Sequence, residues 1–351
     1  MAQQSLQAEG GAFTSLGALN NNFDDLYAYY GIAAGNPFST NRFVDGDNGS
    51  DTNSGLTPNL SMKTIQAAIN ASGQGDRVFI KPLEGDASSG DTDPDSYAET
   101  LTITGKDGLQ LIGTGRGTTH GGQPQIKPGT GSTAICTINS FGVGLFGLTF
   151  NGAGATGGGL LLVYDGSTKD AGGLVVQGCY FKNAKSSAAA ATGGAITWSA
   201  NGGCWHAKII DCDFYDCRAG IAILGTALSV PRGVEILGCR FWAAVNTTVD
   251  ADIYVAGSGT VGLVIDRCVF GTVDVPAYAS SPDAARYMEL PAGTKGIISN
   301  STFACITDPA GTEVTFGAAG TACIFPTTVR MAGCWGEGVV ATADQSIIGR
   351  T

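Results

Sequence analysis

A short string recurs along the chain, and its spacing restricts the fold more than any other feature. Each copy has two apolar residues in alternation, a short break and then Cys-x-Phe or a close variant. A repeat of about 30 residues whose copies cannot bury their apolar faces alone predicts a solenoid. The copies are VGLFGLTF (143–150), GLVVQGCYF (173–181), AKIIDCDF (207–214), VEILGCRF (234–241), LVIDRCVF (263–270), GIISNSTF (296–303) and TVRMAGCW (328–335).

The parity within each copy identifies the type of solenoid. Val234 and Ile236 alternate like one face of a strand, and so do Cys239 and Phe241, but the two pairs are offset by an odd number of residues. Side chains of an unbroken strand alternate with a period of two, so the chain must bend between the pairs. We therefore predict an all-β, single-stranded, right-handed parallel β-helix, with stacked coils from about residue 140 to the C-terminus.

The cysteines fit this interior. A chain of 351 residues with ten Cys and no apparent secretory signal is expected to keep reduced thiols. Free Cys is a common buried residue, and no zinc-like spacing with His is present. The sequence predicts no metal and no cofactor. It predicts an interior column of Phe residues and one of thiols, which contains Cys179, Cys212, Cys239, Cys268 and Cys334.

Charge and hydropathy exclude two classes of partner. The formal net charge is -11 and no basic run occurs, which argues against nucleic acid. No apolar run approaches the roughly 18 residues of a membrane span, so membrane insertion is not expected. The sequence predicts folding in the cytoplasm of the cell that makes the chain.

The segment before the repeats has a different pattern. SMKTIQAAINAS at 61–72 places Ile65, Ala68 and Ile69 at helical spacing, with Ser61 as the expected cap, and predicts a short helix over the open end of the solenoid. VFIKP and LTITGKDGLQLIGTGRG are expected to form the first strands. The long segments 182–203 and 271–296 are expected to decorate the outside.

VDGDNGSDTNSG at 44–55, followed by KTIQAAIN and a strand, resembles the N-terminal part of the pectate-lyase-like (pectin lyase fold) β-helix superfamily, and within it bacteriophage tailspikes and other virion spikes. This resemblance implies three parts: an anchoring and trimerisation segment at 1–36, a capping segment at 37–82 and the β-helix body at 83–351. The oxygen-rich DGDNGSDTNSG departs from calcium-loop order, and Asx-turns explain it more simply than calcium.

The first 36 residues contain a short apolar seam with heptad spacing, formed by Leu16, Leu19, Phe23, Leu26 and Tyr30. A helix with this seam is expected to join copies of the chain in a homotrimer and to anchor it to other virion proteins. The alternative is a helix that packs on its own body.

Outward carboxylates are where a β-helix enzyme of this superfamily would cleave polysaccharide. Asp213 and Glu235 are the weak catalytic candidates. Asp213 shares its place in the repeat with Arg240, and Glu235 shares its place with Lys208, so ordinary rung-to-rung ion pairs are the favoured interpretation. The pectinase motifs NTD, WIDH and HG followed by RxK are absent from the sequence.

Aromatic residues give the remaining functional indication. Trp198, Trp205, Trp242 and Trp335 are expected in loops or at outward positions, and Trp205 and Trp242 are the candidates for binding a host cell-surface glycan. The predicted function is a non-enzymatic virion spike on the capsid (head) or tail, used for host attachment or capsid decoration. The alternative is a tailspike depolymerase that cleaves host polysaccharide as a glycoside hydrolase or lyase.

Overall fold

The structure, a computed structural model, describes residues 39–84, 95–115, 122–128, 134–152, 160–164, 172–184, 194–198, 205–217, 219–224, 231–242, 251–257, 259–271, 286–303, 323–324 and 326–336. The chain winds through three parallel sheets in turn, which makes the predicted right-handed parallel β-helix. Strands are numbered β1 to β27 along the chain.

Within the described part of the chain, sheet A contains ten strands, sheet B nine and sheet C eight, and successive members of each sheet are stacked in parallel. The strands of sheet A are β1 (Asn41–Val44), β2 (Arg77–Ile80), β5 (Gln110–Gly113), β8 (Gly144–Phe146), β11 (Val175–Gln177), β14 (Lys208–Ile210), β17 (Glu235–Leu237), β20 (Val261–Asp266), β23 (Lys295–Ser299) and β26 (Val329–Ala332).

Sheet B has nine strands: β3 (Ser96–Ala98), β6 (Gln125–Lys127), β9 (Thr149–Asn151), β12 (Tyr180–Lys182), β15 (Asp213–Tyr215), β18 (Arg240–Trp242), β21 (Val269–Phe270), β24 (Thr302–Phe303) and β27 (Trp335–Gly336). Sheet C has eight: β4 (Leu101–Thr104), β7 (Ala134–Asn139), β10 (Leu160–Tyr164), β13 (Ile196–Trp198), β16 (Ala219–Ile223), β19 (Ala251–Val255), β22 (Arg286–Glu289) and β25 (Cys323–Ile324).

The predicted bend between sheets A and B is confirmed. In every copy of the repeat, the residue just before the Cys place has a left-handed backbone, with φ between 48° and 64°. One residue in this conformation turns the chain from sheet A into sheet B and changes which side of the strand faces inward. These residues are Gly147, Gly178, Asp211, Gly238, Arg267, Asn300 and Gly333.

The interior columns are also confirmed. The five predicted thiols are free and buried, and each lies 3.5 or 3.6 Å from a carbonyl oxygen of the preceding coil. Six phenylalanine rings, from Phe150 to Phe303, stack on consecutive rungs with centroids 4.7 to 5.1 Å apart. Because the rings and thiols bury nearly all of their surface, these columns are the core of sheet B.

The sheets extend further than the sequence analysis predicted. β2 lies where the first strand was expected, and β1 precedes it in sheet A, so the stacked coils begin at β1 and not at about residue 140. The segments 182–203 and 271–296, expected to lie outside, contribute β13 and β22 to sheet C. Trp198, expected in a loop or outward, is fully buried in β13. Within sheet C, β4 was among the expected first strands, whereas β13 and β16 were missed because every position in them is buried and the alternation disappears.

A helix and a covering loop close the N-terminal end. α1 (Ile65–Ala71) buries Ile65, Ala68 and Ile69, as predicted, but its cap is Thr64 and not Ser61. The Glu99 carboxylate accepts hydrogen bonds from the N–H groups of Ile65 and Gln66, both at 2.9 Å. A 3-10 turn at Pro58–Leu60 lies within the segment 55–62, which runs along the free edge of β1.

Candidate functional site

The outer face of sheet B carries a group of polar and aromatic side chains on three consecutive rungs. In β12, β15 and β18 the middle residue is a buried phenylalanine, so the residues on either side of it point outward. The register places Tyr180, Asp213 and Arg240 in one column and Lys182, Tyr215 and Trp242 in the next. We call these six residues the sheet B patch.

An ion pair lies at the centre of this patch. The Arg240 guanidinium donates to both carboxylate oxygens of Asp213, from Nε at 2.6 Å and from the second nitrogen at 2.7 Å. Hydrogen bonding to Asp213 also raises the pKa of Arg240. The Asp213 side chain is 13% exposed and the Arg240 side chain 61%, so solvent screens the pair and its stabilising effect is below about 1 kcal/mol.

Two aromatic contacts flank the ion pair. Trp242 meets Tyr215 edge to face, with ring centroids 5.7 Å apart, and remains 38% exposed. Lys182 is buried, and its Nζ lies 5.9 Å from the centre of the Tyr180 ring. An exposed indole beside a bidentate ion pair offers both an apolar ring face and polar hydrogen-bonding groups, a combination suited to a sugar ring.

A ladder of amide side chains leads along sheet B towards the patch. Gln125 donates to the Ser96 hydroxyl at 2.7 Å, Asn151 donates to Gln125 at 3.1 Å, and Asn183 donates to Asn151 at 2.8 Å. The sequence analysis missed this ladder. Aligning the copies of the repeat at the residue after the Phe would have found Asn151, which lies beside Lys182 on the adjacent strand.

The two catalytic candidates from the sequence do not come together. Asp213 lies in β15 of sheet B, whereas Glu235 lies in β17 of sheet A. Glu235 forms an ion pair with Lys208 on the neighbouring rung, as the register of the repeat predicted. Lys208 Nζ lies 3.1 Å from Glu235 Oε2. A glycosidase needs two carboxyl groups on either side of one bond, and two residues on different faces cannot supply that arrangement.

Other carboxyl groups have distinct environments. Hydrogen bonds from Ser299 and Asn300, with Arg267 beside them, hold the pKa of Asp266 below its usual range. Burial raises the pKa of Asp252 well above the usual value. Asp216 and Asp252 lie near the Cys217 thiol, where burial and the two charges together raise the pKa of Cys217 to about 12.

The remaining sequence candidates are dispersed or lie outside the described residues. Trp205 is half-buried just before β14 of sheet A, away from Trp242, and its indole nitrogen is buried with no hydrogen-bond partner. The seam residues Leu16, Leu19, Phe23, Leu26 and Tyr30 fall outside the described part of the chain, as does His120. The Trp335 side chain is likewise not described.

Neither a metal site nor a membrane span is found among the described residues. No group of three or more His, Cys, Asp or Glu side chains is placed to hold a metal ion there. In the N-terminal loop, Asp45 Oδ1 accepts from the N–H groups of Asp47 and Asn48 at 3.1 and 3.2 Å, which are the Asx-turn contacts expected from the sequence. No described helix has the length and apolarity needed to cross a bilayer.

Solved structures give the fold a wider context. No protein-family model matches the chain, and no curated protein sequence matches it. A pectate lyase, Pel9A, is 14% identical over 84% of this chain and 69% of its own, with a TM-score of 0.50. Pectin methylesterases from Aspergillus niger (16% identity, 89% of this chain and 90% of that one, TM-score 0.46) and Erwinia chrysanthemi (14%, 89% and 98%, 0.47) are also similar. The likeness to the pectate lyase supports the pectate-lyase-like β-helix fold and nothing finer.

Proposed function

We propose that this chain is a non-catalytic spike of a bacteriophage virion that attaches to host cell-surface glycan through the sheet B patch. In this proposal it is a homotrimer assembled in the host cytoplasm, and residues 1–36 join it to capsid or tail proteins. One observation supports the proposal that the spike is not catalytic. Asp213 and Glu235 lie on different sheets, and each forms an ion pair with a basic side chain on an adjacent rung.

The patch supports attachment because it is built on rigid elements. Trp242 and Arg240 project from a strand whose central residue, Phe241, is held between two other stacked rings. Side chains that do not have to be ordered on binding lose little entropy, which favours recognition of a repeating surface polymer. The resemblance of residues 44–70 to virion spikes supports the placement on a particle.

Binding is tested with purified host surface polysaccharide. The full chain should bind the immobilised polymer and release no oligosaccharide from it. Trp242→Ala should weaken binding at least tenfold, whereas Val269→Ala, another exposed position of sheet B, should leave binding unchanged. Equal binding by the two variants would refute the patch as the attachment site.

Placement on the virion is tested by sedimentation. The full chain should sediment with particles, and a chain of residues 37–351, with the circular dichroism of the intact body, should remain in the supernatant. Sedimentation of the shortened chain would contradict the anchoring role of residues 1–36.

A depolymerase is the second candidate, and Asp252 favours it. Asp252 occupies a partly exposed, outward position of β19, and Asp216 is a second carboxyl near the same thiol. The pKa of Asp252 is raised, which is what a general acid needs. Oligosaccharide release that is lost in Asp252→Asn would establish this activity in place of the non-catalytic proposal.

A further inference from the structure

A column of aromatic and basic residues runs along the edge where the chain enters sheet A. Each of six consecutive coils contributes one residue at or just before the start of its sheet A strand, and the main chains there are hydrogen-bonded in register. Gly173, for example, donates its N–H to the Trp205 carbonyl oxygen at 2.7 Å. We call this set the entry column, and it consists of Phe141, Gly172, Trp205, Arg232, Val261 and Lys295.

The aromatic half of the entry column lies around a position with no side chain. Phe141 is 39% exposed. A Cβ placed on Gly172 would lie 3.6 Å from both the Phe141 ring and the Trp205 carbonyl oxygen. The Phe141 ring therefore leans over the glycine toward the rung of Trp205. The two aromatic residues lie at either end of this gap, and aromatic rings are suited to packing against sugar rings.

The indole N–H of Trp205 is unsatisfied. Trp205 is half-buried, and among the described residues this N–H has no acceptor. A hydrogen-bond donor left without a partner is unfavourable, so the ring is not held in place by a bond that a ligand would have to break. A ligand with an oxygen acceptor beside Trp205 would supply the missing partner.

The basic half of the entry column carries two free cations. In the described part of the chain, the side chains of Arg232 and Lys295 form neither hydrogen bonds nor ion pairs, and both are exposed. Val261 lies between them, so the two charged rungs are about 10 Å apart. Lys208 and Arg240, by contrast, are each paired with a carboxylate. Arg232 and Lys295 are thus available to an external anion.

No acidic residue belongs to the entry column. Asp107 lies one rung beyond Phe141, and its carboxylate accepts a hydrogen bond from the Phe141 N–H at 3.0 Å. The whole chain has a formal charge of -11, so most of its surface is expected to repel a polyanion. Two unpaired cations beside aromatic rings make this edge a local exception.

We infer that the entry column binds an acidic glycan that carries a carboxylate or phosphate on alternate sugars. Arg232 and Lys295 hold two successive anionic groups, since the distance between their rungs is similar to the length of a disaccharide. The planar guanidinium of Arg232 can donate two hydrogen bonds to either kind of anion. Phe141 and Trp205 contact the sugar rings that follow. The site is separate from the sheet B patch and does not depend on placement on a virion.

Isothermal titration calorimetry with the full chain tests the inference. A hyaluronan octasaccharide, which has a carboxylate on alternate sugars, should bind. The same octasaccharide with its carboxylates reduced to alcohols should bind about tenfold more weakly or less. Arg232→Gln with Lys295→Gln should weaken binding of the acidic form by a similar factor. Arg267→Gln with Arg330→Gln removes the same charge from exposed positions outside the column and should change the Kd by less than about twofold.

Further variants separate the two sites. Trp205→Leu, with the circular dichroism of the natural chain, should also weaken binding of the acidic octasaccharide, whereas Trp242→Ala in the sheet B patch should leave it unchanged. Trp242→Ala that weakens only the binding of host polysaccharide therefore concerns the proposed function and leaves the entry column intact.

Poly(glycerol phosphate) in place of hyaluronan shows which anion the column prefers. Binding of either polymer supports the inference, and binding of neither overturns it. Two other results also overturn it. One is an equal loss of binding in the two double variants, because the effect would then come from net charge alone. The other is undiminished binding of the reduced octasaccharide.

Discussion

Asp213 and Glu235 project from different faces of the solenoid, one from sheet B and the other from sheet A. Each meets an opposite charge on the adjacent rung, Arg240 in the first case and Lys208 in the second. Stacking coils in register puts equivalent positions side by side, so alternating signs at one position of the repeat produce such pairs without any catalytic requirement. The positions of these two carboxylates are therefore accounted for by how the coils stack.

Neutralising either carboxylate should have little effect. Asp213→Asn and Glu235→Gln should each lower the free energy of unfolding by less than about 1 kcal/mol, because both ion pairs are exposed to solvent. Neither should alter the amount of sugar released from host polysaccharide. Urea unfolding and a reducing-sugar assay measure the two quantities. A variant that abolishes measurable sugar release would show that its carboxylate is catalytic.

Removing one ring from the phenylalanine column should be costly. Phe241 is buried between Phe214 and Phe270, with centroids at 4.7 and 5.0 Å. Phe241→Ala leaves a cavity between two rigid rungs and should cost about 3 to 5 kcal/mol in urea unfolding. Val269→Ala, at the exposed position just before Phe270 on the next rung, should cost less than about 1 kcal/mol. Similar losses for the two variants would contradict the ladder as the source of stability.

The thiols should be protected from reagents in water. Seven of the ten cysteines are free and buried in the described structure, and burial raises the pKa of Cys136 to about 12. Because the thiolate is the reactive form, at most three cysteines of the native chain should react with a water-soluble disulfide reagent. All ten should react in denaturant. Reaction of more than three in a chain that keeps its circular dichroism would contradict the burial of these seven thiols.

Acid should lower the stability of the bend between sheets A and B beside Asp266. Hydrogen bonds in the folded chain lower the pKa of Asp266, so its ionised form stabilises the fold. This contribution is present above the unfolded pKa of about 4 and is lost as pH falls through the lower folded value. Asp266→Asn should therefore reduce the urea midpoint most near neutral pH, and the difference from the natural chain should shrink in acid. Ser299→Ala, which removes one donor, should show a smaller effect of the same sign. A difference that stays constant with pH would exclude this role of the carboxylate.

The fold could be predicted where the alternation of inward and outward residues is visible in the repeat. Cys212 and Phe214 have equivalents at the same places in the neighbouring copies of the repeat. Aligning the copies therefore predicted both columns and the pairing of Asp213 with Arg240. Sheet C could not be predicted in this way, because Trp198 lies in a short strand where both Ile196 and Thr197 are buried and the alternation disappears. The Tyr215 and Trp242 contact depends on ring orientation, which strand register alone does not determine.

The loop along β1 limits how these molecules can aggregate. Phe43 donates its N–H to the Gly55 carbonyl oxygen at 2.8 Å and accepts from the Met62 N–H at 2.9 Å, so both main-chain groups of Phe43 on that edge of the first strand are already used. An open strand edge is a template that recruits strands from other molecules and seeds fibres. At Phe43, the N-terminal edge of sheet A does not offer such a template to another molecule. A strand of another molecule that extended sheet A from β1 would therefore have to displace the segment 55–62 first.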